Sequence, residues 1–489
     1  MFYSLLGFMK TRIVSNELNA SHQLLGLSSG ILFLLTLPPV NWFWLLPVCF
    51  VPLIIANHRY SILKAAFAGF LFGIVAYICI HLSLFSWGRD AVVYSVLILG
   101  VFFLLWPVLT QILVQFLPDS AKWAAFPIAY YCLNLIGDQL LSIPVSLSIS
   151  YPVDLIDARG LFGTIGAIGV DLFICTINAL VAAAVVERKR RYAAGLIPLL
   201  VVLALLHYVP LQTSKVENTP LKAITVDNAM SFSDVTQIGY SLDSRERIYS
   251  EMSALTKRAI AMEPDLILWP EGGNGSALRQ VAYAKNDLQK LASFGNYRLI
   301  AGSKDYDKDG NSFNVAEYVV NGGLVAQAQK GKPVPLLESH LSVGSGSVFD
   351  VLNHKVGVGI CFDSDFPMTI HQLVRQSADS IVLLSNDSSF GVSALTDMHL
   401  AYAGIRALES GRELLFVSNT GPSILLGANG RYKSGYKSTK EPMLQQHKID
   451  AYHGMSLYVR YPYIVSLFLL LMLAFYIAVI QVWGARDDH

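Results

Sequence analysis

Cys361 is the residue most able to do chemistry. Of the five cysteines, Cys49, Cys79, Cys132 and Cys175 fall in apolar stretches and read as small packing residues, while Cys361 stands alone in the polar half. It closes Lys355-Val-Gly-Val-Gly-Ile360, a predicted strand, shortly before a helix opened by Pro367. A turn at that place presents a side chain, and a helix N-terminus favours a thiolate. Spacing alone leaves two readings open, a reactive thiol or a buried strand-end cysteine. A thiol nucleophile needs a base and an oxyanion stabiliser. Trp269-Pro270-Glu271 closes one strand with a carboxylate, and Gln329-Lys330-Gly331-Lys332 closes another, with Glu338 a short loop away. Singly, Glu271 could be a surface residue and Lys330 a solvated hairpin charge. Together, in the order Glu, Lys, Cys at three strand ends, they are more specific.

The elements that would position them alternate. Strands are predicted at 223–226, 266–269, 298–301, 355–360, 381–384, 414–417 and 424–426, with a hairpin over 312–330. Helices are predicted at 245–261, 276–294, after Pro367 and at 397–410. Short apolar strands between helices predict a layered α/β domain with a buried sheet. Asp305-x-Asp307-x-Asp309-Gly310 begins like a calcium loop, but its twelfth position is Ala316, so a hairpin turn is the better reading. His340, His354, His371 and His399 show no metal-ligand spacing, and no nucleotide loop is present. Neither a metal nor another cofactor is expected.

The rest of the chain is built for lipid. Of 489 residues, 53% are hydrophobic and 15% charged, against about 25% charged in average soluble domains. Only 19 of the 71 charged residues fall in 1–211. A net charge of +1, with no long basic run, argues against nucleic acid. Spans are predicted near 22–39, 41–57, 62–85, 92–117, 123–141, 161–186, 192–211 and 463–483. The first two could be a re-entrant pair, and Asn134 and Asp138 interrupt the fifth. No cleavable signal peptide is expected. With the N-terminus in the cytoplasm, Lys10, Arg12, Arg59, Lys64, Lys122, Arg188, Lys189, Arg190, Arg191 and Arg486 fall inside. Only Arg89 and Arg159 fall in short outside loops. The domains expected are a membrane domain of about seven helices (1–211), an extracytoplasmic domain (212–462) and a last helix with a short cytoplasmic tail (463–489). Gly69-x-x-x-Gly73 reads as close packing within the chain. Asp171 could serve a function or simply cap or pair near the outer interface.

W-P-E, then Lys with P-V-P-x-x-E, then G-I-C-x-D resembles the carbon–nitrogen hydrolase (nitrilase) superfamily. Ser385-Asn386-Asp387 with Phe390-Gly391, Arg406-Ala407-Leu408-Glu409 with Arg412, and Asn419-Thr420-Gly421 extend the match. With spans before and after the domain, the chain looks like the family's membrane-bound acyltransferases of bacterial inner membranes. The resemblance implies an αββα sandwich on the periplasmic side carrying a Glu-Lys-Cys triad. Glu271 would be the base, Cys361 the nucleophile forming a thioester, and Lys330 the oxyanion stabiliser, helped by backbone N–H groups near Phe362. Glu338 would orient the site, and Trp269, Phe362, Asn386 and Phe390 would face substrate. A phospholipid would be the donor and the α-amine of an apolipoprotein's lipidated N-terminal cysteine the acceptor, with the chain acting as a monomer. The pattern departs at Ala328, where an aromatic is usual, at Leu336-Leu337-Glu338, at Asp363 in place of Glu, at Ser388-Ser389, which lacks a Trp, and at Gly272-Gly273-Asn274-Gly275. These changes leave open a different amine acceptor or a membrane-tethered amidase. A transporter or scaffold with an inactive domain would instead tolerate Cys361→Ser.

Overall fold

The computed structural model describes residues 21–153, 155–229, 242–273, 277–335, 337–437 and 441–483. Lys10, Arg12, Asn274, Gly275, Leu336 and Arg486 lie outside the described residues. The chain forms two units, one of residues 1–152, 165–209 and 462–489, the other of residues 153–164 and 210–461.

The first unit is helical. Among the described residues, Arg89–Val114, Arg159–Glu187 and Pro462–Ile480 are long and apolar enough to cross a membrane. Ile62–Ala76 and Ile78–Trp87, bent by 50°, make a fourth candidate if taken as one span. Other expected spans are shorter helices: Ser21–Leu34, Val51–Arg59, Ala125–Ile136 and Arg190–Leu206. The fifth stops at Ile136 and continues as a π-helical turn, Gly137–Leu141, with Asn134 Nδ2 donating to the Val145 carbonyl at 2.7 Å. Gly69 and Gly73 let helix 62–76 lie on helix 89–114. A Cβ at either would stand 2.7 Å from the carbonyl oxygen of Phe103 or Leu99. That is the close packing the spacing predicts. Asp171 is buried and satisfied, accepting from the Tyr130 hydroxyl at 2.5 Å and the Ser148 N–H at 2.7 Å. Pairing and capping therefore describe it.

The second unit has β1 (Thr213–Lys215), β2 (Leu221–Asp227), β3 (Leu266–Trp269), β4 (Arg298–Tyr306), β5 (Ser312–Val320), β6 (Gly323–Gln329) and β7 (Ser347–Val351). It continues with β8 (His354–Ile360), β9 (Ser380–Ser385), β10 (Leu414–Ser418), β11 (Ser423–Leu426), β12 (Tyr432–Tyr436), β13 (Met443–Ile449) and β14 (Tyr452–Gly454). Two six-stranded sheets form, ordered β13-β2-β3-β4-β5-β6 and β12-β11-β10-β9-β8-β7, while β1 pairs with β14. Each sheet has three parallel central strands, β2-β3-β4 and β8-β9-β10, flanked by antiparallel ones.

Alternation along the strands builds four layers. Leu266, Leu268 and Ile300 meet Val358, Ile360, Val382 and Val417 between the sheets. Ile267, Trp269 and Leu299 point the other way, onto Tyr249, Met252 and Leu288 from helices Leu242–Ile260 and Ala282–Leu291. Ile381, Leu383 and Phe416 likewise meet Ile370, Leu373 and Ala403 from helices Pro367–Arg375 and Ala394–Ser410. This is the expected αββα sandwich. The helix predicted from 276 begins only at Ala282. Before it, the Leu278 N–H bonds to Ser303 Oγ at 3.1 Å, and Arg279 Nε reaches the buried Glu317 at 2.8 Å, pinning a loop to the sheet. The acidic stretch at 305–310 is the β4–β5 turn, where the Asp307 carboxylate accepts from the Asp309 and Asn311 N–H groups.

Candidate active site

Three strand ends and one loop converge. Pro270 stops β3 from continuing its ladder, and Glu271 follows. Its backbone crosses to the second sheet: the Glu271 N–H donates to the Ser385 carbonyl at 3.2 Å, and Asn419 Nδ2 donates to the Glu271 carbonyl at 3.1 Å. Gly302 on β4 makes room, since a Cβ there would stand 2.3 Å from the Pro270 carbonyl oxygen.

Lys330 follows β6. Its Nζ lies 3.0 Å from Glu271 Oε1 and, on its other side, 2.9 and 2.8 Å from Glu338 Oε1 and Oε2. Glu338 Oε2 also accepts from the Val334 N–H at 2.7 Å, which ties the carboxylate to its own loop. Lys330 is buried. Burial works against its charge, but the Glu271 and Glu338 carboxylates, and the Cys361 sulfur once it is ionised, hold the ammonium well above its ordinary value.

Cys361 follows β8 at φ 51°, a left-handed conformation at the step into the short helix Cys361–Asp365. A non-glycine residue held there is turned out of the strand, as a presented nucleophile must be. Burial pushes its thiol well above the usual range, with Glu271 adding and Lys330 opposing. A thiol so placed is neutral at rest and reacts only by handing its proton to a neighbour.

Residues 235–453 match the family model described as carbon-nitrogen hydrolase. The chain is 22% identical to the apolipoprotein N-acyltransferase of Aquifex aeolicus (strain VF5), over 83% of this chain and 93% of that relative. It is 23% identical to the one from Wigglesworthia glossinidia brevipalpis, over 90% and 94% respectively. Among solved structures, Saccharomyces cerevisiae Nit3, a member of branch 10 of the nitrilase superfamily, shares 19% identity over 48% of this chain and 92% of its own, with a TM-score of 0.40.

The second unit bonds Lys330 to Glu271 and Glu338 and sets Cys361 within their electrostatic reach, but it does not bring Trp269 to them. Trp269 is fully buried in the helix-facing core, its indole N–H donating to Thr256 Oγ1 at 2.8 Å. The alternation that places Leu268 between the sheets turns Trp269 outward, so a substrate-facing role for it is corrected. Phe362 is half-buried, its ring edge-on to Phe366 at 5.1 Å, and Lys332 Nζ sits 4.4 Å over that second ring. Asn386 is half-buried, with its Oδ1 accepting from Ser388 Oγ at 2.6 Å. Phe390 is half-buried on a turn closed by its N–H to the Asp387 carbonyl.

Two groups brace the site, Asn314, which carries little sequence signal, and Asp363, the last residue of G-I-C-x-D. Asn314 on β5 donates from Nδ2 to Glu271 Oε1 at 2.5 Å, while its carbonyl accepts from the Lys330 N–H at 2.9 Å. It sets both members of the pair, yet an Asn in a hairpin is unremarkable to the eye. Asp363 accepts from the N–H groups of Gly331, Lys332 and Ile360 at 3.0, 2.8 and 2.9 Å. The lysine strand and the cysteine strand are thereby fastened together. Burial raises its carboxyl to about 6, against those bonds and Lys330. Among the described residues no group of His, Cys, Asp and Glu could hold a metal ion.

Proposed function

We propose that the chain is a membrane-embedded N-acyltransferase that moves a fatty acyl chain from a phospholipid, through a Cys361 thioester, to the α-amine of the diacylglyceryl-cysteine of an apolipoprotein. The observation that carries the reading is Lys330, buried and gripped between Glu271 and Glu338 beside a cysteine on a left-handed turn.

In the first half-reaction Glu271 takes the thiol proton as Sγ bonds to the ester carbonyl carbon. The carbonyl oxygen becomes an oxyanion, which Lys330 Nζ and the Phe362 N–H stabilise. Collapse breaks the ester C–O bond, and Glu271 returns the proton to the departing lysophospholipid. In the second half-reaction the amine attacks the thioester and gives its proton to Glu271. The C–S bond breaks, leaving an amide on the acceptor and a thiol on Cys361. Because the thiol is neutral at rest, water-exposed thiolate chemistry is suppressed until an acyl donor fills the site.

The apolar helices would carry about seven spans before the domain and one after it, placing the hydrolase domain on the periplasmic side of a bacterial inner membrane. A donor with a long acyl chain explains why such a domain is tethered at both ends. The test is incubation of the purified full chain with phospholipid of labelled acyl groups and a diacylglyceryl-cysteine peptide. N-acylated peptide and lysophospholipid in equal amounts are expected. Free fatty acid in place of acylated peptide would make the chain a hydrolase and overturn the assignment.

A further inference from the structure

Behind the nucleophile turn lies an imidazole that the two half-reactions leave unused. His399, on the helix Ala394–Ser410, is buried, with the Phe416 ring edge-on at 4.9 Å. Its Nδ1 lies 3.2 Å from Asp387 Oδ1, and its Nε2 lies 3.2 Å from the Cys361 carbonyl oxygen and 3.8 Å from Asp365 Oδ1. A carboxylate on one side and a carbonyl on the other can only accept, so both ring nitrogens carry protons and the ring is an imidazolium. Burial opposes that charge, and Asp387 and Asp365 outweigh it, raising the group to about 9. Arg406, on the same helix, also acts electrostatically on Asp365 and favours its carboxylate.

The carbonyl that Nε2 faces belongs to the same peptide unit as the Phe362 N–H. In a trans unit the two point in opposite directions. A cation bonded to the oxygen withdraws electron density from the amide and makes its N–H a stronger donor. We propose that His399 is a positioning residue that polarises the Cys361–Phe362 peptide, so that the Phe362 N–H binds the developing oxyanion more strongly. The inference rests on the assignment of that N–H to the oxyanion in the proposed acyl transfer.

The test uses the full-length chain in phospholipid nanodiscs and the variant His399→Gln. Three quantities are read: the single-turnover rate of thioester formation, the apparent KM for phospholipid, and the rate at which iodoacetamide alkylates Cys361. Alkylation needs the nucleophile in place but makes no oxyanion. Thioester formation should fall about 10-fold, less than the 100-fold or more expected for losing an oxyanion donor outright. KM and alkylation should stay within about twofold. An equal fall in alkylation and acylation would reduce His399 to a strut, and unchanged acylation would remove its role; either overturns the inference. Should the Gln variant not fold, Asp387→Asn serves instead. With one carboxylate gone the imidazolium titrates lower, so the ratio of variant to parent acylation should fall as pH rises through neutrality. Parallel pH profiles would overturn the inference. A parent that forms no thioester at all would fail differently, removing the acyl-transfer reading itself.

Discussion

Replacing Lys330 by Met tests the centre of the network. Its Nζ contacts Glu271 at 3.0 Å and Glu338 at 2.8 Å. At such distances and an effective dielectric near 20, each attraction is roughly 6 kcal/mol before desolvation is counted. Removing one member of a buried charged set costs about 3–5 kcal/mol net, because the carboxylates are left without a cation. The catalytic loss is separate. An oxyanion donor removed from a preorganised site lowers the rate by about 10²–10³, or about 2.7–4 kcal/mol of transition-state stabilisation. Lys330→Met should therefore form thioester at least about 100-fold more slowly, with the second unit still folded but unfolding at lower temperature. Lys330→Arg should regain part of the stability and little of the rate, since a planar guanidinium does not fit the place of a point charge between two carboxylates. The assay is burst-phase acylation followed by intact-protein mass spectrometry. A burst within about threefold of the parent would refute the oxyanion role of Lys330.

Other perturbations separate bracing from chemistry. Asp363→Asn should cost about 1–3 kcal/mol in unfolding, because an amide cannot accept from all three of Gly331, Lys332 and Ile360; an unchanged melting temperature would contradict the brace. Trp269→Phe should lower stability by about 1 kcal/mol through the lost bond to Thr256 and leave KM for phospholipid alone; a raised KM would return Trp269 to the substrate. His399 is raised from 6.5 to about 9, so the stability it contributes is fully present below 6.5 and lost as pH climbs through 9. The melting temperature of the parent should show that loss between pH 7 and 9.5 and His399→Gln should not; parallel curves would contradict it. An impermeant thiol-reactive probe should label Cys361 in intact spheroplasts, and labelling only after permeabilisation would overturn the proposed topology.

The candidate site residues were legible because residue chemistry and strand ends coincide. Pro270 after an all-apolar strand, and Pro367 after Cys361, mark where the chain leaves the sheets and side chains become available. Strands buried on both faces gave no such help with direction. Leu266-Ile-Leu-Trp269 reads as one apolar run, and only the sandwich decides that Trp269 turns towards the helices. Strands β13 and β12 escaped the reading because Gln445, Gln446 and Lys448, or Lys433 and Ser434, are polar and lie at the sheet margins. Asn314 and His399 were silent for another reason. Each reaches a site residue distant in sequence, Asn314 to Glu271 at a separation of 43 and His399 to Cys361 at 38. The candidate spans differ in extent from the expected ones because hydropathy does not register the break at Ile136 or the bend between Ala76 and Ile78.

The most direct measurement is the intact mass of the purified chain after incubation with a single defined phospholipid. A gain of one acyl group, located on Cys361 and absent from Cys361→Ser, is the predicted result. A chain that gains no mass with any phospholipid, while retaining activity on another substrate, would contradict acyl transfer through the Cys361 thioester.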